Sequence, residues 1–141
     1  NSSGQLRMTQ QEIIAAKPAG EKAAGSSNLS AVQVVVVHGD PSKKGLYTIL
    51  LKVAANTKIP AHLHPDDRIG TVVSGTWYVG YGNKFDESKL KELPVGSVYS
   101  EVENQDHFAM TKDEPVIAEI TGYGPTGTTY VNSSDDPLKQ K

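Results

Sequence analysis

NTKIPAHLHPDDRIGTVVSG, residues 56–75, decides how the rest of the chain is read. Within it His62 and His64 stand two residues apart, and side chains along a strand alternate between faces, so both imidazoles are expected to leave one side of one strand together. Such a pair supplies two arms of a metal claw. A third arm must come from elsewhere, and the other histidines are His38 and His107. His38 falls in the turn-forming string His38-Gly39-Asp40-Pro41 and reads as a loop residue. His107 is therefore the preferred third arm.

Around this stretch the chain reads as short strands separated by turn residues. Val32 to Val37 is rich in β-branched residues, and Gly45 to Val53 alternates Tyr47, Ile49, Leu51 and Val53 with a less buried face. Further strands are expected at Ala61 to His64, Ile69 to Ser74, Thr76 to Tyr81, Ser97 to Val102, Asp106 to Thr111, Pro115 to Thr121 and Thr128 to Val131. Trp77, Val79 and Tyr81 share a face and read as core or barrel wall. Many short strands with little helix argue for an all-β sandwich or barrel. Two helical exceptions are expected. Thr9 caps a short helix through Ala16, with Glu12 completing a capping box before Pro18 and Gly20 stop it. Asp86 to Leu93, DESKLKEL, reads as a short surface helix with Asp86 as its cap.

The chain of 141 residues is long enough for one domain with a sizeable core. We divide it into an N-terminal leader with its short helix at 1–30, a barrel at 31–132, and a flexible tail at 133–141. The formal net charge is −2 and the pI about 6.1, with Lys and Arg scattered. No nucleic-acid or membrane-surface partner is expected from that pattern, and a small molecule fits it better. The absence of cysteine excludes disulfides, thiol nucleophiles and thiolate metal sites. The longest aliphatic run, Val34 to Val37, is too short to span a bilayer. Because the sequence begins at Asn1, a trimmed mature form and export are the expectation for localisation. No phosphate-binding glycine loop, nucleophile elbow or serine triad is present.

Two spaced motifs carry a resemblance. The first runs Asn56, five residues, His62-Leu63-His64, three residues, Arg68, six residues, Gly75; the second runs Gly96, five residues, Val102-Glu103-Asn104, two residues, His107, three residues, Thr111. In spacing this resembles the cupin superfamily, whose motifs are Gly, five residues, His-x-His, three or four residues, Glu, six residues, Gly, and Gly, five residues, Pro-x-Gly, two residues, His, three residues, Asn. Asn56 and Asn104 replace glycines, a mild change because Asn best tolerates a left-handed turn. Arg68 replaces the glutamate, exchanging an anionic ligand for a permanent cation. HPDD at 64–67, SGTWYVGYGNKFDE at 74–87 and GPTGTTYVN at 124–132 are similar to small bacterial single-domain RmlC-like cupins, often exported and mostly without assigned activity.

The resemblance implies a double-stranded β-helix, or jelly-roll barrel, with His62, His64 and His107 converging on a divalent metal, and it implies homodimers, with Val32 to Val37 adding to a partner's sheet edge. Three neutral imidazoles with open positions suit Zn, Fe, Ni or Cu. Arg68 shares inward parity, and a like charge ~4 Å away costs on the order of 4 kcal/mol at an effective dielectric of 20, so it cannot sit at ligand distance from a dication. Three outcomes stay open: Arg68 stands back and anchors an anionic substrate; an acid, Glu101 or Asp66, replaces the missing ligand; or the site has lost its metal. Tyr78 and Tyr99 are candidate pocket walls. The functional readings are a small metal-dependent dioxygenase, isomerase or lyase acting on an organic acid or phenol, a metal- or ligand-binding module without turnover, and a structural domain with a vestigial pocket.

Overall fold

The β-branched and alternating runs form ten strands in two five-stranded antiparallel sheets. The computed structural model describes residues 4–18 and 24–139. The strands are β1 (Val32–His38), β2 (Gly45–Val53), β3 (Lys58–Leu63), β4 (Arg68–Ser74), β5 (Trp77–Tyr81), β6 (Lys91–Leu93), β7 (Val98–Glu101), β8 (His107–Met110), β9 (Val116–Gly124) and β10 (Thr129–Tyr130). One sheet has the order β1-β2-β9-β4-β7 and the other β10-β3-β8-β5-β6. Sequence neighbours such as β3 and β4 thus lie in opposite sheets, the β-sandwich of a jelly roll.

The inward positions of the two sheets meet in one core. Tyr47, Ile49, Leu51 and Val53 of β2 and Val116 and Ile120 of β9 pack against Ile59, Trp77, Val79 and Ala109 from the opposite sheet. Burying each such aliphatic side chain contributes roughly 1.5–3 kcal/mol, which is what holds the sheets face to face. The inward series then changes character along each strand. On β4 it runs Val72, Gly70, Arg68, and on β7 it runs Tyr99, Glu101. One end of the sandwich is therefore apolar and the other holds buried His, Arg and Glu side chains. Tyr99 marks the change: its ring lies where a Cβ on Gly70 would come within 2.5 Å of it, and its hydroxyl accepts from the Trp77 indole at 3.1 Å.

The N-terminal helix α1 (Gln10–Ala15) has the expected capping box, with the Thr9 hydroxyl accepting from Glu12 N and Glu12 Oε1 accepting from Thr9 N. It lies across the outer face of the first sheet, where Gln10 Nε2 donates to the Val73 carbonyl at 2.7 Å and Lys52 Nζ to that of Ile14 at 2.8 Å. Leu50 points to this outer face and is still buried, in a hollow shared with Leu6, Met8 and Ile13. Gly20, read as part of the helix stop, lies outside the described residues.

The expected helix at Asp86 to Leu93 is absent. Asp86 does cap, accepting from Ser88 N at 3.0 Å, but only a 3-10 turn follows at Glu87–Lys89. Lys91–Leu93 then becomes β6, with Trp77 opposite Leu93 and Val79 opposite Lys91. An open edge on β5 offers backbone partners and a core position for Leu93, and this outweighs a helical propensity worth tenths of a kcal/mol per residue. Tyr81 also departs from its expected place. It sits at the strand end, half exposed, with its hydroxyl donating to the Ser100 carbonyl at 2.6 Å. The described part of the tail forms 3-10 turns at Ser133–Asp135 and Pro137–Lys139.

Candidate metal centre

His62 and His107 face each other as cross-strand partners of β3 and β8, with ring centroids 4.2 Å apart. His64 follows β3 by one residue, its centroid 5.0 Å from that of His62 and 5.1 Å from that of His107. One potential ligand atom from each of the three histidines lies within 4.8 Å of the others. The pairing is made locally. Asn104, in the left-handed conformation at φ +57°, turns the β7–β8 connection so that its N–H donates to the His64 carbonyl at 2.8 Å. Glu103 N donates to Asp67 Oδ1 at 2.8 Å beside it. The two motifs, far apart in sequence, are thereby pinned together turn against turn.

Ring orientation follows from hydrogen bonding. Nδ1 of His62 lies 2.7 Å from the Pro60 carbonyl and Nδ1 of His64 lies 2.6 Å from that of Gly127. A carbonyl only accepts, so each Nδ1 carries the proton and each Nε2 is left with a lone pair. This is the arrangement in which outer hydrogen bonds aim histidine ligands at a metal. Nε2 of His64 is buried without a hydrogen-bond partner, an orphan that a cation would satisfy. All three rings are buried. Burial, reinforced by His107, pushes His62 down to about 3; burial and the Arg68 guanidinium push His64 well below its ordinary value; burial also lowers His107. Neutral imidazoles are what metal binding needs.

Facing the histidines from the opposite sheet are Arg68 and Glu101, directly paired across β4 and β7. Arg68 Nε donates to Glu101 Oε1 at 2.8 Å and Nη1 to the Gly25 carbonyl at 3.2 Å. The same carboxylate lies 3.5 Å from Nε2 of His64 through Oε1 and 3.5 Å from Nε2 of His107 through Oε2. Burial on its own raises Glu101, but Arg68 and the imidazoles outweigh it and hold the carboxyl well below the usual carboxylate range. The guanidinium that the sequence reading offered to a substrate carboxylate already has a carboxylate within the fold.

The remaining sequence candidates stand at different distances from this cluster. Asp66 is buried but engaged elsewhere, accepting from the Tyr47 hydroxyl at 2.7 Å and from Thr126 Oγ1 at 2.6 Å. Tyr99 lies one inward step from Glu101, with its hydroxyl turned to Trp77. Tyr78 takes the parity opposite to Trp77 and Val79, and the Lys112 ammonium sits 4.6 Å above its ring. Sequence reasoning missed Gly25 to Ser27, which fold back over the polar end. Gly25 supplies the carbonyl for Arg68, and Ser27 supplies one for the hydroxyl of Tyr130, whose ring lies 5.5 Å from His62. A Gly-Ser-Ser-Asn string carries no periodic signal; its one hint was Asn28, which adopts φ +65°.

No family model matches the sequence, and no curated protein matches it either. Similarity appears at the level of solved structures. The DMSP lyase DddQ from Ruegeria pomeroyi is 18% identical, with a TM-score of 0.61 over 89% of this chain and 59% of its own. An RmlC-like cupin from Shewanella frigidimarina is 16% identical, with a TM-score of 0.56 over 68% of this chain and 78% of its own. Oxalate oxidase in complex with the substrate analogue glycolate is 17% identical, with a TM-score of 0.57 over 80% of this chain and 66% of its own. This chain thus spans less than two-thirds of the length of the lyase. Identities this low speak for backbone architecture alone, and on that architecture, two facing antiparallel sheets with a three-histidine cluster at one end, the chain has the cupin fold.

Proposed function

We propose that the protein is a metal-binding cupin whose ligands include His62, His64 and His107, and that it is a small metal-dependent enzyme acting on a compact anionic or phenolic molecule. The single observation that carries this reading is the buried Nε2 of His64, clustered with its two sister rings and without a hydrogen-bond partner among the described residues. Nitrogen donors of this kind suit Zn, Fe, Ni or Cu. A divalent ion held there supplies Lewis acidity toward a carbonyl, carboxylate or phenolic oxygen. The chain's own residues orient the donors through Pro60 and Gly127, exclude water with Tyr99 and the Gly25–Ser27 strap, and keep all three rings neutral by burial. The site is too enclosed for a polymer, which favours a small ligand. The glycolate bound to the structurally similar oxalate oxidase, and the lyase and dioxygenase names among the neighbours, support an organic-acid substrate and lyase or dioxygenase chemistry.

Elemental analysis of protein purified without chelator tests the proposal. About one equivalent of a divalent metal per chain is expected, and His62→Ala is expected to abolish it while leaving the fold intact. Folded protein that neither carries nor takes up metal would overturn it. The near-complete burial of the rings favours one second reading, a module that holds metal or ligand without turnover. Metal-loaded protein that binds small carboxylates yet converts none across oxygenated and anaerobic assays would select that reading. Both readings extend to a homodimer, for which β1 offers a sheet edge, since it pairs with β2 alone among the described residues.

A further inference from the structure

Besides Arg68, the carboxylate of Glu101 faces two imidazole nitrogens. Its Oε1 lies 3.5 Å from Nε2 of His64, a ring whose proton is committed to the Gly127 carbonyl on the other nitrogen. An oxygen lone pair therefore confronts a nitrogen lone pair, both buried. Two acceptors at that separation repel unless a positive centre lies between them. Oε2 stands at the same 3.5 Å from Nε2 of His107. Around one tetrahedral ion with donors at 2.0–2.2 Å, neighbouring donor atoms stand about 3.3–3.5 Å apart, so the carboxylate is already at ligand spacing from two of the three rings.

Resting on the metal-binding reading, we infer that Glu101 is a fourth ligand of the centre, delivered from β7, and that Arg68 is the residue that positions it. The register explains why the two exchange roles. Arg68 and Glu101 are direct cross-strand partners with the same inward parity, so either position can deliver a side chain to the same space. Here the acid comes from 101 and the cation from 68. Arg68 Nε fixes Oε1 at 2.8 Å, and Nη1 is tied to the Gly25 carbonyl, so the guanidinium is held in place. The carboxylate stands between guanidinium and metal, which removes the like-charge conflict that an inward arginine otherwise creates. The centre then combines neutral imidazoles, one carboxylate and an adjoining cation, a balance one unit more positive than the same donors without Arg68. An anionic ligand added as a fifth donor is favoured by that surplus.

Cobalt(II) titration of the metal-free full-length chain, read by affinity and by the visible d–d spectrum, tests the assignment without any substrate. Glu101→Gln keeps an oxygen acceptor for Arg68 and removes the anionic donor. Since loss of outer-shell partners alone costs 10–100-fold in affinity, it is expected to weaken Co²⁺ by about 100-fold or more and to change the spectrum. The exchange Arg68→Glu with Glu101→Arg returns a carboxylate from the opposite strand, and is expected to bring affinity to within about tenfold of the parent, a rescue that a merely structural ion pair would not produce. Glu101→Gln with parental affinity and an unchanged spectrum would overturn the inference and leave the three-histidine reading standing, as would an exchange variant that folds but binds no better than Glu101→Arg alone. A folded parent chain that binds no Co²⁺ overturns both.

Discussion

Asn56 and Asn104 both stand at φ +57°, at two of the four positions where the motifs call for glycine. Asn tolerates that conformation through its short polar side chain, whereas an alanine there pushes its Cβ toward the following carbonyl at a cost of roughly 1–2 kcal/mol. Asn104→Ala is expected to destabilise by about that amount, and by loosening the turn on His64 to weaken metal binding too; Asn104→Gly should be close to neutral in both. Urea unfolding and metal titration of the two variants check this. Gly122 is constrained by its neighbours instead of its dihedrals. A Cβ there would lie 2.6 Å from the Tyr47 hydroxyl and 2.7 Å from Asp66 Oδ2, so Gly122→Ala must break that buried hydrogen bond or displace the strand. Overpacking of this kind costs typically 1–3 kcal/mol. Burial pushes the Tyr47 hydroxyl up to about 12.

At the scale of elements, the strands were legible wherever β-branched residues alternate between turn signals, and Gly45–Val53 was read with its observed bounds. DESKLKEL failed because its pattern is local while the decision was not: Leu93 reaches the core only as part of β6. The capping box of α1 was legible for the opposite reason, since Thr9 and Glu12 satisfy each other within three residues. A six-residue helix is marginal by itself and depends on its cap and on docking. Thr9→Ala is therefore expected to speed amide exchange across Gln10–Ala15 while shifting the unfolding midpoint of the sandwich little, with hydrogen exchange followed by mass spectrometry as the measurement. An equally large loss in the midpoint would mean that α1 folds as one unit with the sheets.

For the whole molecule, the buried polar end ties stability to pH. His62, His64 and His107 are all lowered in the fold, so the unfolded chain binds more protons below its ordinary histidine value of 6.5. Their neutral burial contributes fully above that pH. The contribution falls as pH drops, by up to roughly 1.4 kcal/mol per unit for each histidine, and for His62 the loss continues to about pH 3. Glu101, also lowered, adds to the loss below its ordinary 4.5. Denaturant unfolding of the metal-free chain between pH 7 and pH 4 is expected to show a steady decline; a flat profile from pH 7 to pH 5 would mean that the rings are solvated in the folded state. Saturating metal should oppose the decline, by about 2.7 kcal/mol at a hundredfold excess over Kd. Among the described residues no helix is long and apolar enough to cross a membrane. By itself the sequence determined the all-β class, the turn positions and the identity of the histidines, because alternation and spacing are properties of the chain taken a few residues at a time. Only the tertiary structure decided that His107 stands opposite His62, that Arg68 is spent on Glu101, and that residues 25–27 close over both. Those facts depend on which strands become neighbours across two sheets, a choice made by the burial of the whole core and written in no single stretch.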